Sequence, residues 1–286
     1  MLFDPRIHPV SQLAKSILGR VEKMRGGLNY DRDELLVLNY HSTPKKFIAQ
    51  FKKQVEFLSK HFNIVGPSDL RNYFSGTYKS EKCSLLFTFD DGLKNNQYAV
   101  EVLDSKNIKA LFFVVPDFID SPIALQKEFY LKNIRPIVND RIDSQEEDFS
   151  ALSWNDLGEL TKEGHVVGAH TLTHTLVARS SSEENSEKEI LDCKKVIEDR
   201  LKISVDSFCS INDTLLSVGK KEKLLIEKKY SFHFTTLPGY NATRKDPHFI
   251  MRRNVECFWP TGAFYYALGR SDLKRWEKKI ATYRSL

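Results

Sequence analysis

Leu85-Leu86-Phe87-Thr88-Phe89-Asp90-Asp91-Gly92 is an apolar run that stops abruptly at two adjacent carboxylates and a glycine. Its length suits a buried strand. In parallel α/β architectures, active sites sit at the C-terminal ends of strands. Two neighbouring acids at such a place repel each other unless a cation or hydrogen-bond donors compensate. A bound metal would resolve the repulsion; an isolated D-D-G is otherwise a turn acid beside a capping acid.

Strand and helix patterns alternate on both sides of this stretch. Upstream, Leu35 to Leu38 reads as a buried strand, and Phe47, Phe51, Val55 and Leu58 then recur at helical spacing. Ile64 and Val65 precede a short helix near Ser68 to Phe74. Downstream, the spacing predicts helix Asn95 to Ser105, strand Ala110 to Val115, helix Ser153 to Glu163 and strand Val166 to Ala169. Helix Ser182 to Leu201, strand Ser207 to Cys209, helix Val218 to Lys229 and strand Ser231 to Thr235 follow. A less regular segment then leads to a closing helix, Ser271 to Tyr283. This alternation implies a mostly parallel sheet, wound open or closed into a barrel. Residues 1–34 read as a lead-in and 35–286 as one α/β domain. The stretch from 116 to 150, with its prolines and the acidic run Asp143 to Asp148, is too long for an ordinary connection and reads as an insertion over one face.

Strand Val166 to Ala169 also ends at chemistry-bearing residues, His170-Thr171-Leu172-Thr173-His174. Two imidazoles four apart can converge on one metal. With a carboxylate they make a three-ligand site with positions left open for water and substrate. Alone, H-x-x-x-H is equally a solvated or packed pair. The two signals reinforce each other, because each closes an independently predicted strand.

The 286 residues, 41% hydrophobic and 28% charged, can bury a substantial core and are not compositionally disordered. No apolar stretch approaches the roughly 20 residues of a membrane span. Met1 to Tyr30 lacks the apolar core of a secretory signal, so the expected location is cytoplasmic. Cys83, Cys193, Cys209 and Cys257 show no C-x-x-C spacing. The net charge of +5 comes from basic residues that alternate with acidic ones, which does not mark a nucleic-acid partner.

The sequence resembles the polysaccharide deacetylases, the NodB-homology group of metal-dependent carbohydrate esterases. The resemblance is carried by T-F-D-D-G at Thr88 to Gly92 and by the text from Leu152 to His174, L-S-W-N-D-L-G-E-L-T-K-E-G-H-V-V-G-A-H-T-L-T-H. Weaker matches run from Leu38-Asn39-Tyr40-His41 to a late segment ending at Arg253. The fold it implies is α/β, a distorted (β/α) barrel in a single domain with an insertion. The activity it implies is metal-dependent hydrolysis of an N-acetyl or other small N-acyl group on an amino sugar. The substrate would be a glycan, or a lipid-linked or nucleotide-linked precursor. A catalytically silent sugar-binding relative is the alternative.

Carried over by residue, the resemblance implies that Asp91, His170 and His174 bind the metal and that Asp90 is the general base. Two imidazoles and a carboxylate suit Zn2+, with Co2+, Ni2+ or Mn2+ as substitutes. His41 is the candidate general acid, a packed core histidine being its alternative; His248 and His233 are weaker candidates that read as structural or surface residues. Arg253 matches an arginine that would keep Asp90 ionised, with Arg252 able to serve instead. Where the family has a Y-P-[YF]-G motif, whose Tyr lends a backbone N–H to the oxyanion, this chain has Ser207-Phe208-Cys209-Ser210-Ile211-Asn212-Asp213, which leaves the Ser210 backbone N–H as the expected oxyanion donor. Phe258, Trp259, Phe264, Tyr265 and Tyr266 could stack on sugar rings or pack in the core. Lys220, Lys221, Lys223, Arg244, Lys245, Lys274 and Arg275 could meet diphosphates or a membrane surface in peripheral contact, or be solvated.

Overall fold

The computed structural model describes residues 9–24, 28, 30–135, 149–177, 183–211, 217–242, 246–270 and 273–286. Its centre is a curled sheet whose main path runs β7-β6-β5-β4-β3-β1-β8. The strands are β1 (Glu34–Tyr40), β2 (Asn63–Ile64), β3 (Ser84–Phe89), β4 (Leu111–Val114), β5 (Val166–Ala169), β6 (Ser207–Cys209), β7 (Phe232–Phe234), β8 (Asn241–Ala242) and β9 (Arg253–Asn254). From β1 to β7 every pairing is parallel, and only β8 joins antiparallel, to β1. The gap between β7 and β1 is bridged by the short stretch from Ile250 to Asn254. Ile250 pairs with Phe234 on one side, and β9 pairs in parallel with Leu38 and Asn39 on the other. The result is the barrel-like α/β fold the sequence implies, closed by a thin seam.

Strands of a parallel sheet covered on both faces read as continuous apolar runs. Period-two alternation then sorts their side chains between the barrel interior and the outer helices. Leu36, Leu38, Leu85, Phe87, Phe89, Phe112 and Val114 join the large outer core. Leu35, Val37, Leu86, Leu111, Phe113, Phe234 and Ile250 form the smaller inner one. This parity governs the site: Thr88 and Asp90 continue the inward series from Leu86, and Arg252 continues it from Ile250.

Three segments differ from the sequence expectation. The helix expected over 182–201 is interrupted: α-helical Glu183–Glu187 and Cys193–Leu201 flank a π-helical turn, Lys188–Asp192. The insertion is helical where described, with Pro116–Asp120, Ile123–Phe129 and a π-turn at Tyr130–Ile134; its acidic run lies outside the described residues. After Thr235, the irregular segment contains the barrel seam and the helix Thr261–Leu268.

The lead-in holds helix Pro9–Met24, which packs on helix Thr261–Leu268 through a glycine contact. A Cβ on Gly19 would collide with the Gly262 carbonyl, and one on Gly262 would come within 2.6 Å of the Ser16 carbonyl oxygen. Leu13, Ile17 and Leu18 of the same helix are exposed. Among the described residues, no helix is long and apolar enough to cross a membrane.

Candidate active site

Strand β3 delivers Asp90 and Asp91 to the mouth of the barrel, where both are almost wholly buried. Asp91 takes a left-handed backbone conformation (φ 73°), and Gly92 follows at φ 77°. Left-handed backbone at a non-glycine residue costs about 1–3 kcal/mol and persists only where surrounding structure enforces it. Here it turns the Asp91 carboxylate away from Asp90 and towards the loop after β5. A Cβ on Gly92 would press within 3.3 Å of the Val114 side chain, so glycine suits this turn on two counts.

The loop after β5 carries both histidines, with Thr171 and His174 also in left-handed conformation (φ 63° and 64°). The Asp91 Oδ1 atom lies 3.5 Å from His170 Nε2 and 3.5 Å from His174 Nε2. In a tetrahedral site with metal–ligand bonds of roughly 2.0–2.1 Å, neighbouring ligand atoms stand about 3.3–3.4 Å apart. The three donors are therefore spaced to share one small ion.

The far ring nitrogens support this arrangement. His170 Nδ1 lies 3.0 Å from the Cys209 carbonyl oxygen, and His174 Nδ1 lies 3.0 Å from that of Asn133. A carbonyl only accepts, so each Nδ1 carries the proton and each Nε2 lone pair is free to face Asp91. Orientation of ligating imidazoles by outer partners is the usual device of histidine metal sites. Glu189, in the π-turn, fixes the intervening loop by accepting from the Thr173 backbone N–H (2.9 Å) and the Thr173 hydroxyl (2.7 Å).

Asp90 has a different partner. Arg252 grips it with a two-pronged pair, Nη1 to Oδ1 at 2.7 Å and Nη2 to Oδ2 at 2.9 Å. Burial alone would raise the Asp90 carboxyl, but the Arg252 charge overrides it and holds the group below the ordinary carboxylate range. His170 Nε2 stands 3.7 Å from the other side of Asp90. Burial opposes the charged form of His170, yet Cys209, Asp90 and the contact with Asp91 push its proton affinity up. Two buried carboxylates against one guanidinium leave a negative charge that a proton on His170 or a cation in its place balances.

The expected arginine, Arg253, is on the wrong face of the seam. It donates from Nε to the Ala267 carbonyl (2.6 Å) and from Nη2 to that of Gly269 (2.9 Å), at the C-terminal end of helix Thr261–Leu268. Alternation along the seam sends Arg252 inward and Arg253 outward, so Arg252 holds the position expected of its neighbour. Ser210 also departs from expectation. Its backbone N–H is bonded to the Phe234 carbonyl (2.9 Å) and is thus committed between β6 and β7. Its hydroxyl meets His233 Nε2 at 2.6 Å in a buried network that includes Tyr283. The Ser210 N–H therefore does not face the cavity as a free donor for an oxyanion.

A cavity of about 230 Å³ opens above these groups. His41, immediately after β1, lines it beside Glu256, with Nδ1 3.4 Å from the carboxylate. The insertion contributes Tyr130, Ile134 and Arg135, and the seam region adds Asn254 and Phe258. The sequence reading missed Glu256 and Arg135 because neither stands in a motif; each reaches the site through an irregular segment.

Residues 77–221, just over half of the chain, match the family described as Polysaccharide deacetylase. Among solved structures, IcaB from Ammonifex degensii is 22% identical, with a TM-score of 0.62 over 82% of this chain and 97% of that one. The Streptococcus pyogenes deacetylase PplD in complex with acetate is 14% identical (TM-score 0.60; 79% and 93% covered). BC0361, a polysaccharide deacetylase from Bacillus cereus, is 21% identical (TM-score 0.59; 82% and 69% covered). No curated protein matches the sequence. At such identities the structural likeness carries the fold, and the family is fixed by the sequence match, which spans both the acidic turn and the histidine loop: the chain belongs to the polysaccharide deacetylase family.

Proposed function

We propose that the chain is a metal-dependent hydrolase that removes an acetyl or other small acyl group from the nitrogen of an amino sugar in a glycan or glycan precursor. The observation that carries this reading is the triangle of Asp91, His170 and His174, oriented by backbone carbonyls and set beside the Arg252-held Asp90 in one cavity. Asp91, His170 and His174 would hold a divalent ion, and this donor set favours Zn2+ among the candidates. When bound, such an ion supplies Lewis acidity and lowers the pKa of water.

The residues around it have distinct tasks. Asp90 is the base: Arg252 keeps it ionised and occupies one lone pair on each oxygen, leaving others to accept the proton of the attacking water. His41 faces the same cavity, beside Glu256, and is placed to protonate the departing nitrogen. Water thus adds to the acyl carbon, the C–N bond breaks, and the products are a carboxylate and an amino sugar. A peripheral lipid contact finds support in the exposed Leu13, Ile17 and Leu18, which share a helix with Lys15 and Arg20.

Amine release from oligomers of N-acetylglucosamine, measured before and after chelation and on adding back Zn2+, Co2+, Ni2+ or Mn2+, tests the reading. The expected result is metal-restored turnover in wild type and none in Asp90→Asn with its metal retained. Metal-loaded wild type that binds the oligomer without releasing amine would replace the hydrolase with a silent sugar-binding protein.

A further inference from the structure

Strand β1 ends at Tyr40, and the next four residues, His41 to Pro44, have no regular secondary structure. A side chain on such a segment keeps a precise position only if the chain beside it is gripped from outside. On one side of His41 the grip is the sheet itself, since the Asp90 N–H donates to the Tyr40 carbonyl at 2.9 Å.

On the other side the grip comes from Asn95. Its Oδ1 accepts the Thr43 backbone N–H at 3.1 Å, and its Nδ2 donates to the Ser42 hydroxyl at 2.8 Å. The amide has one orientation open to it, because a backbone N–H only donates and must face the oxygen. The Thr43 hydroxyl lies 2.9 Å from Asn96 Oδ1 and 3.2 Å from the Asn95 carbonyl oxygen, with one proton to serve both. Ser42, Thr43, Asn95 and Asn96 are all buried. Water therefore cannot easily replace a partner that is removed.

Asn95 follows Gly92 by three residues, on chain that is itself fixed. The Gly92 carbonyl accepts from the Leu152 N–H, and the Lys94 N–H donates to the Ser150 carbonyl, both at 2.8 Å. The same turn carries Asp90 and Asp91. Asn95 thus ties the segment that bears His41 to the frame that bears the base and a metal ligand.

We infer that Asn95 is a positioning residue for proton delivery: it holds His41 where the departing nitrogen can be protonated. The inference rests on the proposed hydrolysis, with His41 as its acid. In that reaction water adds to the acyl carbon, Asp90 takes a proton from the water, the C–N bond breaks, and the nitrogen leaves with the proton of His41. An aryl ester such as 4-nitrophenyl acetate undergoes the same addition, but its C–O bond breaks to release a phenolate that needs no proton. Misplacing His41 therefore slows the amide alone, whereas a disturbed base or metal site slows both substrates. A displacement of about 1 Å costs on the order of a hundredfold in rate.

The test uses the full chain loaded with zinc. Asn95→Ala should lower kcat on an N-acetylglucosamine tetramer at least tenfold. Its KM, bound zinc and hydrolysis of 4-nitrophenyl acetate should stay within about twofold of wild type. In a His41→Ala background the same substitution should cost less than about twofold on the tetramer, because the group it positions is gone. Asn95→Asp, which keeps an acceptor for the Thr43 N–H, should lose less than Asn95→Ala. Arg253→Met, which weakens the fold away from the cavity, should keep the wild-type ratio of amide to ester turnover. If Asn95→Ala does not fold, Thr43→Val, which removes only the hydroxyl, takes its place with the same pattern expected. Equal losses on amide and ester would overturn the inference, as would losses in Asn95→Ala and His41→Ala that multiply in the double variant. If wild type hydrolyses the tetramer but not the ester, the double variant decides. If the tetramer is not turned over, the hydrolase reading fails by itself, and NMR of isotope-labelled histidine decides the positioning. His41 ring signals, assigned through His41→Ala, that move in Asn95→Ala while those of His170 and His174 stay would uphold it; unmoved His41 signals would refute it.

Discussion

The guanidinium of Arg252 and the carboxylate of Asp90 form a fully buried, two-pronged ion pair, with both oxygens held at 2.7 and 2.9 Å. Burying either charge alone is costly, and removing one partner of such a pair typically costs about 3–5 kcal/mol. Arg252→Met should therefore lose stability on that scale in urea denaturation, and its amine release should fall at least a hundredfold. Arg253→Met removes hydrogen bonds to helix-end carbonyls instead. It should lower stability by about 1–3 kcal/mol and leave kcat within a few fold. Equal catalytic losses in both variants would refute the assignment of Arg252.

Removal of the clustered donors should separate metal binding from chemistry. His174→Ala and Asp91→Asn each take one corner of the 3.5 Å triangle, and metal analysis of the purified variants should find well under one ion per chain. Asp90→Asn keeps all three donors and should retain the ion, with turnover reduced at least a hundredfold. Metal loss in Asp90→Asn equal to that in His174→Ala would place Asp90 among the ligands rather than as the base.

The legible and the illegible parts of this site divide along a physical line. Asp90, Asp91, His170 and His174 follow regular strands, so apolar patterning locates the strand ends and the polar residues after them. Their spacing states the chemistry directly. Arg252 and Arg253 lie on a seam whose longest named strand is two residues, too short for alternation to announce which arginine faces inward. The Ser210 N–H is illegible for a related reason: a backbone donor at a strand end is available only if the next strand stops short, and β7 does not. Glu256 and Arg135 come from irregular chain, where position depends on tertiary packing that no local period encodes.

Glu189 is a positioning residue whose effect should appear in metal affinity before it appears in chemistry. Its carboxylate accepts two hydrogen bonds from Thr173, between the two histidines, and its own carbonyl accepts from the Leu172 N–H at 3.1 Å. Outer partners of a metal site commonly contribute 10–100-fold in affinity. Glu189→Ala should weaken Zn2+ binding by about that factor, with kcat at saturating Zn2+ recovering to near the wild-type value, while Glu189→Gln should keep part of the affinity. A Glu189→Ala protein with unchanged Zn2+ affinity would show that the loop is held by other contacts.

His233 should make the fold acid-sensitive independently of the metal site. It is wholly buried between Ser210 and Tyr283, and burial, aided by the charges of His248, Lys223 and Arg252, pushes its pKa down to about 3. In the unfolded chain it titrates near 6.5. Between these values the unfolded state holds a proton that the folded state does not, so stability rises with pH across that window. The contribution is fully present above about 6.5 and is lost as pH falls towards 3, with a slope approaching 1.4 kcal/mol per pH unit. His233→Gln has nothing to protonate there, so its stability should fall less steeply between pH 6.5 and 5 than that of wild type. Comparison of urea denaturation for the two proteins in the same buffers cancels the pH dependence of the metal site. Parallel stability curves over this range would show that His233 does not set the acid limit.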